Sequence, residues 1–205
     1  MSFFITLEGP DGSGKTRQAK LLSQRLGSLD FDVVLTREPG GTEISEQIRQ
    51  VLTSLDNTLM NPRAEFLLFS ASRAQHVHER IRPHLESGGV VICDRFFDAS
   101  LAYQGYGHRL DLETLRVITS FATQGLMPDL TFLLDLPVEQ GLHRREQGGN
   151  WNRLDAYDLE FHRRVQKGYL ALAKSEPERW VTIDGLQSVD QVHAEIMRTV
   201  ESRLG

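Results

Sequence analysis

The residues best suited to chemistry stand together near the start of the chain, in GPDGSGKT, residues 9–16. Gly9, Gly14, Lys15 and Thr16 meet the spacing GxxxxGK[ST], with Pro10, Asp11, Gly12 and Ser13 between them. The stretch follows the apolar run FFITLE and precedes a segment of helical periodicity, the context in which such a loop turns its backbone N–H groups inward around an anion. Lys15 can then reach the β and γ phosphates of a nucleoside triphosphate, and the Thr16 hydroxyl can ligate Mg2+. Triphosphate binding follows from this. Transfer of a phosphoryl group does not follow from the loop alone.

A transferase would need more, and the rest of the chain supplies candidates. Asp94 closes the apolar run VVIC, where a carboxylate emerges at the carboxyl edge of a sheet beside the loop; it is expected near Mg2+, with a cap on the following turn as the alternative. A kinase must also hold an anionic acceptor in line, which requires a second cationic pocket. Arg95, next to Asp94, can grip an acceptor phosphate with two parallel hydrogen bonds or form a surface ion pair. Phe69 and Arg73 lie four apart on an expected helix, so an aromatic face and a planar cation share one side. That pair suits a flat base; for an arbitrary pair at this spacing a core Phe and a solvated Arg is the favoured reading, and spacing alone does not decide. Ser100, Tyr103 and Gln104 in FDASLAYQG are neutral hydrogen-bonding groups, and the amide of Gln104 can both donate and accept at a pyrimidine edge. Finally, His143, Arg144, Arg145 and Arg153 flank the polar stretch REQGGNWNR. A flap there would exclude water and bring positive charge to the transferred group, with Arg153 first in expectation and Arg145 next, against the alternative of a solvated basic helix face.

These residues must be positioned by a scaffold, and the apolar pattern describes one. Five short runs, FFITL (3–7), DVVLT (32–36), GVVIC (89–93), LTFLLDL (130–136) and WVTID (180–184), alternate with amphipathic segments. Ala19, Leu22 and Leu26 share a helical face, as do Ile44, Ile48 and Val51, then Phe161, Val165, Tyr169 and Leu172, and then Val189, Val192, Ile196 and Val200. The pattern predicts an α/β fold, a five-stranded parallel sheet flanked by helices, as a single domain over residues 1–205, with a mobile lid at about 143–154 between a helix after Pro137 and one from about Asp155.

Composition narrows the function classes. A formal net charge of −5 disfavours broad attraction to nucleic acid or to anionic membrane. No run reaches the ~20 apolar residues of a membrane span, and no secretory leader pattern opens the chain, so a cytoplasmic protein is expected. The single Cys93 sits inside an apolar run and reads as a buried strand residue.

Taken in order, FITLEGPDGSGKT, TREPGGTEISEQIR, LLFSASRAQHV, CDRFFDASLAYQG, PDLTFLLDLP and NRLDAYDLEFHRRVQKGY resemble the bacterial thymidylate kinase family over nearly the whole chain. The resemblance implies a P-loop NTPase fold, ATP and dTMP as substrates, Mg2+ as cofactor and a homodimer, with helices such as 62–81 or 112–124 as contributors. It implies ATP on Gly9 through Thr16 and Arg144, with Lys15, Asp94, Arg95, Arg153 and Arg145 as catalytic groups and Thr16 and Asp94 near the metal. Asp11 would meet the acceptor sugar's 3′ hydroxyl, Arg95 and Arg49 the acceptor phosphate, Phe69 the thymine face, Arg73 a base carbonyl, and Ser100 and Gln104 the base edge. Tyr103 would stand where a ribose 2′ hydroxyl would be, and Glu38 near the acceptor phosphate and metal, unless it is a plain turn carboxylate. Some relatives carry a catalytic arginine inside the phosphate loop. Here that position is Gly12, so the chain resembles the design whose arginines lie in the lid. Arg17 and Ala99 depart from the family's usual Thr or Ser. The alternatives are a kinase of another nucleoside monophosphate, or a P-loop switch that binds without transfer, for which the guanine-reading NKxD pattern is missing.

Overall fold

The computed structural model describes residues 2–149 and 151–204, so Asn150 of the expected lid lies outside the described residues. Five strands, β1 (Phe3–Glu8), β2 (Val33–Arg37), β3 (Val90–Asp94), β4 (Leu130–Asp135) and β5 (Trp180–Asp184), form one parallel sheet in the order β2-β3-β1-β4-β5. Each expected strand is present to within a residue. The central strand β1 is buried along its whole length because its two faces serve two cores. Phe4 packs with Phe66, Phe96, Phe161 and Tyr169 on one side. Ile5 and Leu7 pack with Leu22, Leu26, Phe132 and Ile196 on the other.

The helices are α1 (Lys15–Gly27), α2 (Glu43–Thr53), α3 (Pro62–His76), α4 (Arg82–Glu86), α5 (Phe97–Ser100), α6 (Leu112–Thr123), α7 (Val138–Gln147), α8 (Leu159–Ser175) and α9 (Val189–Leu204). Two wider π-type stretches, Val77–Ile81 and Leu101–Gly107, prolong α3 and α5. Side-chain caps set several starts: Thr42 accepts from the N–H of Ser45, Asn61 from Arg63 ahead of Pro62, and Asp111 from Thr114. Helix α8 begins at Leu159 rather than near Asp155, because Asp158 caps it by accepting from the N–H of Phe161 at 2.6 Å while the Asp155 side chain turns back to the N–H of Asn152. A second difference concerns α2. Its buried residues are Ser45 and Leu52, whereas Ile44 and Val51 remain 50% and 45% exposed, so that stripe does not join the core. Among the described residues, no helix is long and apolar enough to cross a membrane.

Strand order changes direction at β1, and the loops after β1, β2 and β3 open at the same carboxyl edge, where ligands settle in open α/β sheets.

Candidate active site

A cleft of about 430 Å3 lies at that edge. Its wall takes in Asp11, Gly12, Gly14, Lys15, Thr16, Glu38, Arg49, Phe69, Arg73, Asp94, Arg95, Ser100, Tyr103, Gln104, Arg144 and Arg145, residues drawn from loops and helices up to 134 positions apart. Gly9, Pro10 and Ser13 complete the phosphate loop behind the wall. Gly14 has φ +91, a left-handed conformation that starts α1 with its first N–H groups facing the cleft. Gly12 has φ +76, and a Cβ there would stand 2.0 Å from the carbonyl oxygen of Gly141 on α7. Position 12 is thus closed to a side chain by direct backbone contact with the helix that leads into the flap.

Lys15 is folded back over the loop, its Nζ donating to the Pro10 carbonyl at 2.7 Å and to Ser13 Oγ at 3.1 Å. Burial and the nearby charge of Arg95 lower its pKa to about 8. Thr16 Oγ1 donates to the Asp94 carboxylate, which joins the loop to the end of β3. These are two hard oxygen donors at the mouth of the cleft, a set that fits Mg2+, an ion that takes few protein ligands and completes its shell with water and phosphate.

Arg95 occupies a left-handed backbone conformation at φ 71. Its own N–H donates to the Leu7 carbonyl, and the next N–H, of Phe96, donates to the buried Glu8 carboxylate at 2.7 Å. The guanidinium is held from behind: Nη1 donates to the Gly9 carbonyl and Tyr169 OH, and Nη2 to Asp11 Oδ1 at 2.8 Å, while its side chain keeps 15% exposure in the cleft wall. Tyr103 OH donates to the other Asp11 oxygen. Burial opposes ionisation of Asp11, but the charges of Arg95 and Lys15 outweigh it and hold its pKa below the usual carboxylate range.

On the opposite wall, Phe69 is only partly buried while Phe66, three residues earlier, enters the core. Arg73 is 1% exposed, which removes the solvated alternative. Its Nε donates to Glu38 at 2.7 Å, and its Nη2 to the Phe96 carbonyl and Ser100 Oγ; Nη1 is buried without a partner. Glu38 also meets His76 Nδ1 at 3.1 Å. Gln104 sends Nε2 to Glu65 at 2.7 Å, and its Oε1 is likewise buried and unpartnered. Among the described residues that line the cleft, a donor and an acceptor are thus left without partners, and a ligand's complementary edge would satisfy both. Arg49 Nη1 donates to the Pro39 carbonyl, and burial together with the charge of Arg37 lowers its pKa.

The flap arginines divide. Arg144 and Arg145 line the cleft, Arg144 Nη1 donating to the Gly185 carbonyl and Arg145 Nε to both oxygens of Asp155 at 3.1 Å. Arg153, first in expectation, is not brought to the cleft. It is 4% exposed, paired with Glu65 at 2.6 Å, and donates to Tyr157 OH and to the Leu52 carbonyl. The basic pattern could not separate it from its neighbours, because its partners come from α2 and α3. Arg17 is exposed at the rim, as its position at the helix start implies. Sequence reasoning missed Glu65, Glu8, Tyr169 and Asp155. Only Glu65 carried a signal: it stands one helical turn before Phe69, as Arg73 stands one turn after.

A sequence model of the thymidylate kinase family matches residues 7–196. The chain is 50% identical to the thymidylate kinase of Roseiflexus sp. (strain RS-1) over 216 residues, covering all of this chain and 96% of that protein. It is 50% identical to the thymidylate kinase of Geotalea uraniireducens (strain Rf4) over 210 residues, covering 100% and 99%. Among solved structures, the crystal structure of thymidylate kinase from Ehrlichia chaffeensis superposes with a TM-score of 0.81 at 35% identity, covering 98% of each chain.

Proposed function

The chain belongs to the thymidylate kinase family, ATP-dependent transferases acting on a nucleoside monophosphate, and from that premise we propose how its cleft divides the work. An oxygen of the dTMP phosphate attacks the γ phosphorus of ATP, the bond to ADP breaks, and dTDP and ADP leave; no covalent enzyme intermediate is required. The backbone N–H groups of residues 9–16 hold the triphosphate, and Lys15 exchanges its contacts with Pro10 and Ser13 for the β and γ phosphates. Thr16 and Asp94 would hold Mg2+, which when bound neutralises charge on the β and γ phosphate oxygens.

Arg95 and Arg49 take the acceptor phosphate. Asp11, fixed by Arg95 and Tyr103, faces the sugar's 3′ hydroxyl, and the Tyr103 ring occupies the place a 2′ hydroxyl would need. Glu38 sets Arg73 beside the base rather than touching substrate, while Phe69 stacks on the ring. Arg144 and Arg145 supply charge from the flap, and Arg153 anchors the chain returning from it.

The observation that carries the acceptor assignment is that one cleft is lined by both Arg73, whose donor Nη1 is unpaired, and Gln104, whose acceptor Oε1 is unpaired. A thymine offers a carbonyl oxygen next to an N–H, which satisfies both; a cytosine offers an amine next to a bare ring nitrogen, which satisfies neither. ADP release measured over a panel of nucleoside monophosphates tests the reading, and it fails if dTMP stimulates no more than the others.

We also infer a homodimer and a cytoplasmic setting. Phe121 and Val117 on α6 are 86% and 66% exposed, and Leu67 on the adjoining α3 is half exposed, an apolar face larger than isolated surface residues account for. Light scattering should return twice the chain mass of 23.2 kDa, and the single-chain mass would contradict the dimer.

A further inference from the structure

Glu65 is a carboxylate on α3 with no exposure to solvent and no place in the cleft lining, yet groups from two separate stretches converge on it. Gln104 Nε2 donates at 2.7 Å, Tyr157 OH donates at 2.8 Å, Arg153 Nη2 lies at 2.6 Å and His108 Nε2 at 3.3 Å. Burial works against its charge, but the approach of His108, the hydrogen bond from Gln104 and the charge of Arg153 outweigh burial and lower its pKa to about 2. At neutral pH it is therefore ionised, and an ionised carboxylate can only accept. An amide is nearly symmetric in shape, so Gln104 could sit with either end toward the cleft; only one end can meet a carboxylate.

We propose that Glu65 is a positioning residue for base selection: it fixes the Gln104 amide with Nε2 turned away and Oε1 left as the acceptor that recognises the N–H of the acceptor base. The same carboxylate anchors Arg153 and Tyr157, so the wall that recognises the base and the chain returning from the flap share one support. A neutral partner at position 65 could meet Gln104 by either end. The amide would then turn over, and an acceptor facing the base would become a donor, which loses the thymine N–H and gains the bare ring nitrogen of cytosine while Arg73 still faces the neighbouring substituent, so the preference for thymine narrows. This inference rests on the reading of the cleft as a dTMP site.

The test is kcat/KM for dTMP and for dCMP in the wild type, Glu65→Gln, Arg153→Met and Gln104→Ala, with Glu65→Gln repeated on the Gln104→Ala background. Glu65→Gln should lower the dTMP:dCMP ratio about tenfold or more, mainly through the monophosphate KM, as expected for one misdirected buried hydrogen bond. Arg153→Met lowers stability but keeps the carboxylate facing Gln104, so the ratio should hold within about twofold. On the Gln104→Ala background, Glu65→Gln should leave the ratio unchanged. If Glu65→Gln alone does not fold, Glu65→Gln/Arg153→Met removes both buried charges together and is measured the same way. An unchanged ratio in a folded Glu65→Gln enzyme, or the same loss with Gln104 already removed, overturns the proposal. A wild type with no preference for dTMP overturns instead the reading of the site beneath it.

Discussion

Replacing Arg73 with methionine separates recognition from support in one side chain. Two of its nitrogens are committed inward, Nε to Glu38 at 2.7 Å and Nη2 to Ser100 at 3.1 Å, and Nη1 is the free one. Losing Nη1 removes one charge-assisted hydrogen bond to the base, worth roughly 1.5–3 kcal/mol, or about 10- to 150-fold in kcat/KM for dTMP. Losing Nε leaves Glu38, 3% exposed, buried with only His76 opposite, and breaking a buried pair in this way costs about 3–5 kcal/mol. For a chain of this length that lowers Tm by roughly 10 °C. The assay is steady-state ADP release, with KM for dTMP and ATP determined separately well below the new Tm. We expect the dTMP KM to rise by one to two orders of magnitude and the ATP KM to stay within about twofold. Adding Glu38→Gln should restore much of the lost Tm without restoring the dTMP KM. Equal rises in both KM values, or recovery of the dTMP KM along with stability, would refute the assignment.

Gly12→Ala should abolish ATP binding and lower stability, because its Cβ would meet the Gly141 carbonyl at 2.0 Å from a left-handed backbone; a calorimetric ATP titration with normal affinity would contradict this. Lys15 carries its charge below a pKa of about 8 in the free protein and anion binding needs that charge, so ATP affinity should weaken as pH rises through that value, while Lys15→Met should bind weakly and without that dependence. Arg145→Met should reduce kcat by about a hundredfold or more, whereas Arg153→Met should act chiefly on stability, lowering it by about 3 kcal/mol and Tm with it; the reverse pattern in turnover and melting would exchange their roles.

The scaffold was legible because its signals are local. Each strand is a run of apolar residues closed by a turn, and the loop after β1 has a spacing that few other structures need. The stripe Ile44, Ile48, Val51 shows where periodicity stops informing: it marks an apolar face without saying whether the same chain covers it. Phe69 and Arg73 could be paired from spacing, but their burial depended on Glu38, Ser100 and Phe96, which no periodicity connects to α3. Arg153 illustrates the same limit from the other side. Among the three arginines around one flap, the member withdrawn from the cleft is held by a carboxylate 88 positions away and by the Leu52 carbonyl, partners that its local pattern does not contain. The helix start at Leu159 instead of Asp155 turned on which of two nearby aspartates caps, a choice made by Arg145 and the Asn152 N–H holding Asp155.

The measurement that bears most directly on the whole account is ADP release with ATP and Mg2+ over dTMP, dUMP, dCMP, AMP and GMP at equal concentration. dTMP should give the highest kcat/KM, dUMP should follow because it keeps the same base edge, and dCMP should fall far below both; turnover that dTMP stimulates no more than AMP or dCMP would contradict the assignment of the cleft to dTMP.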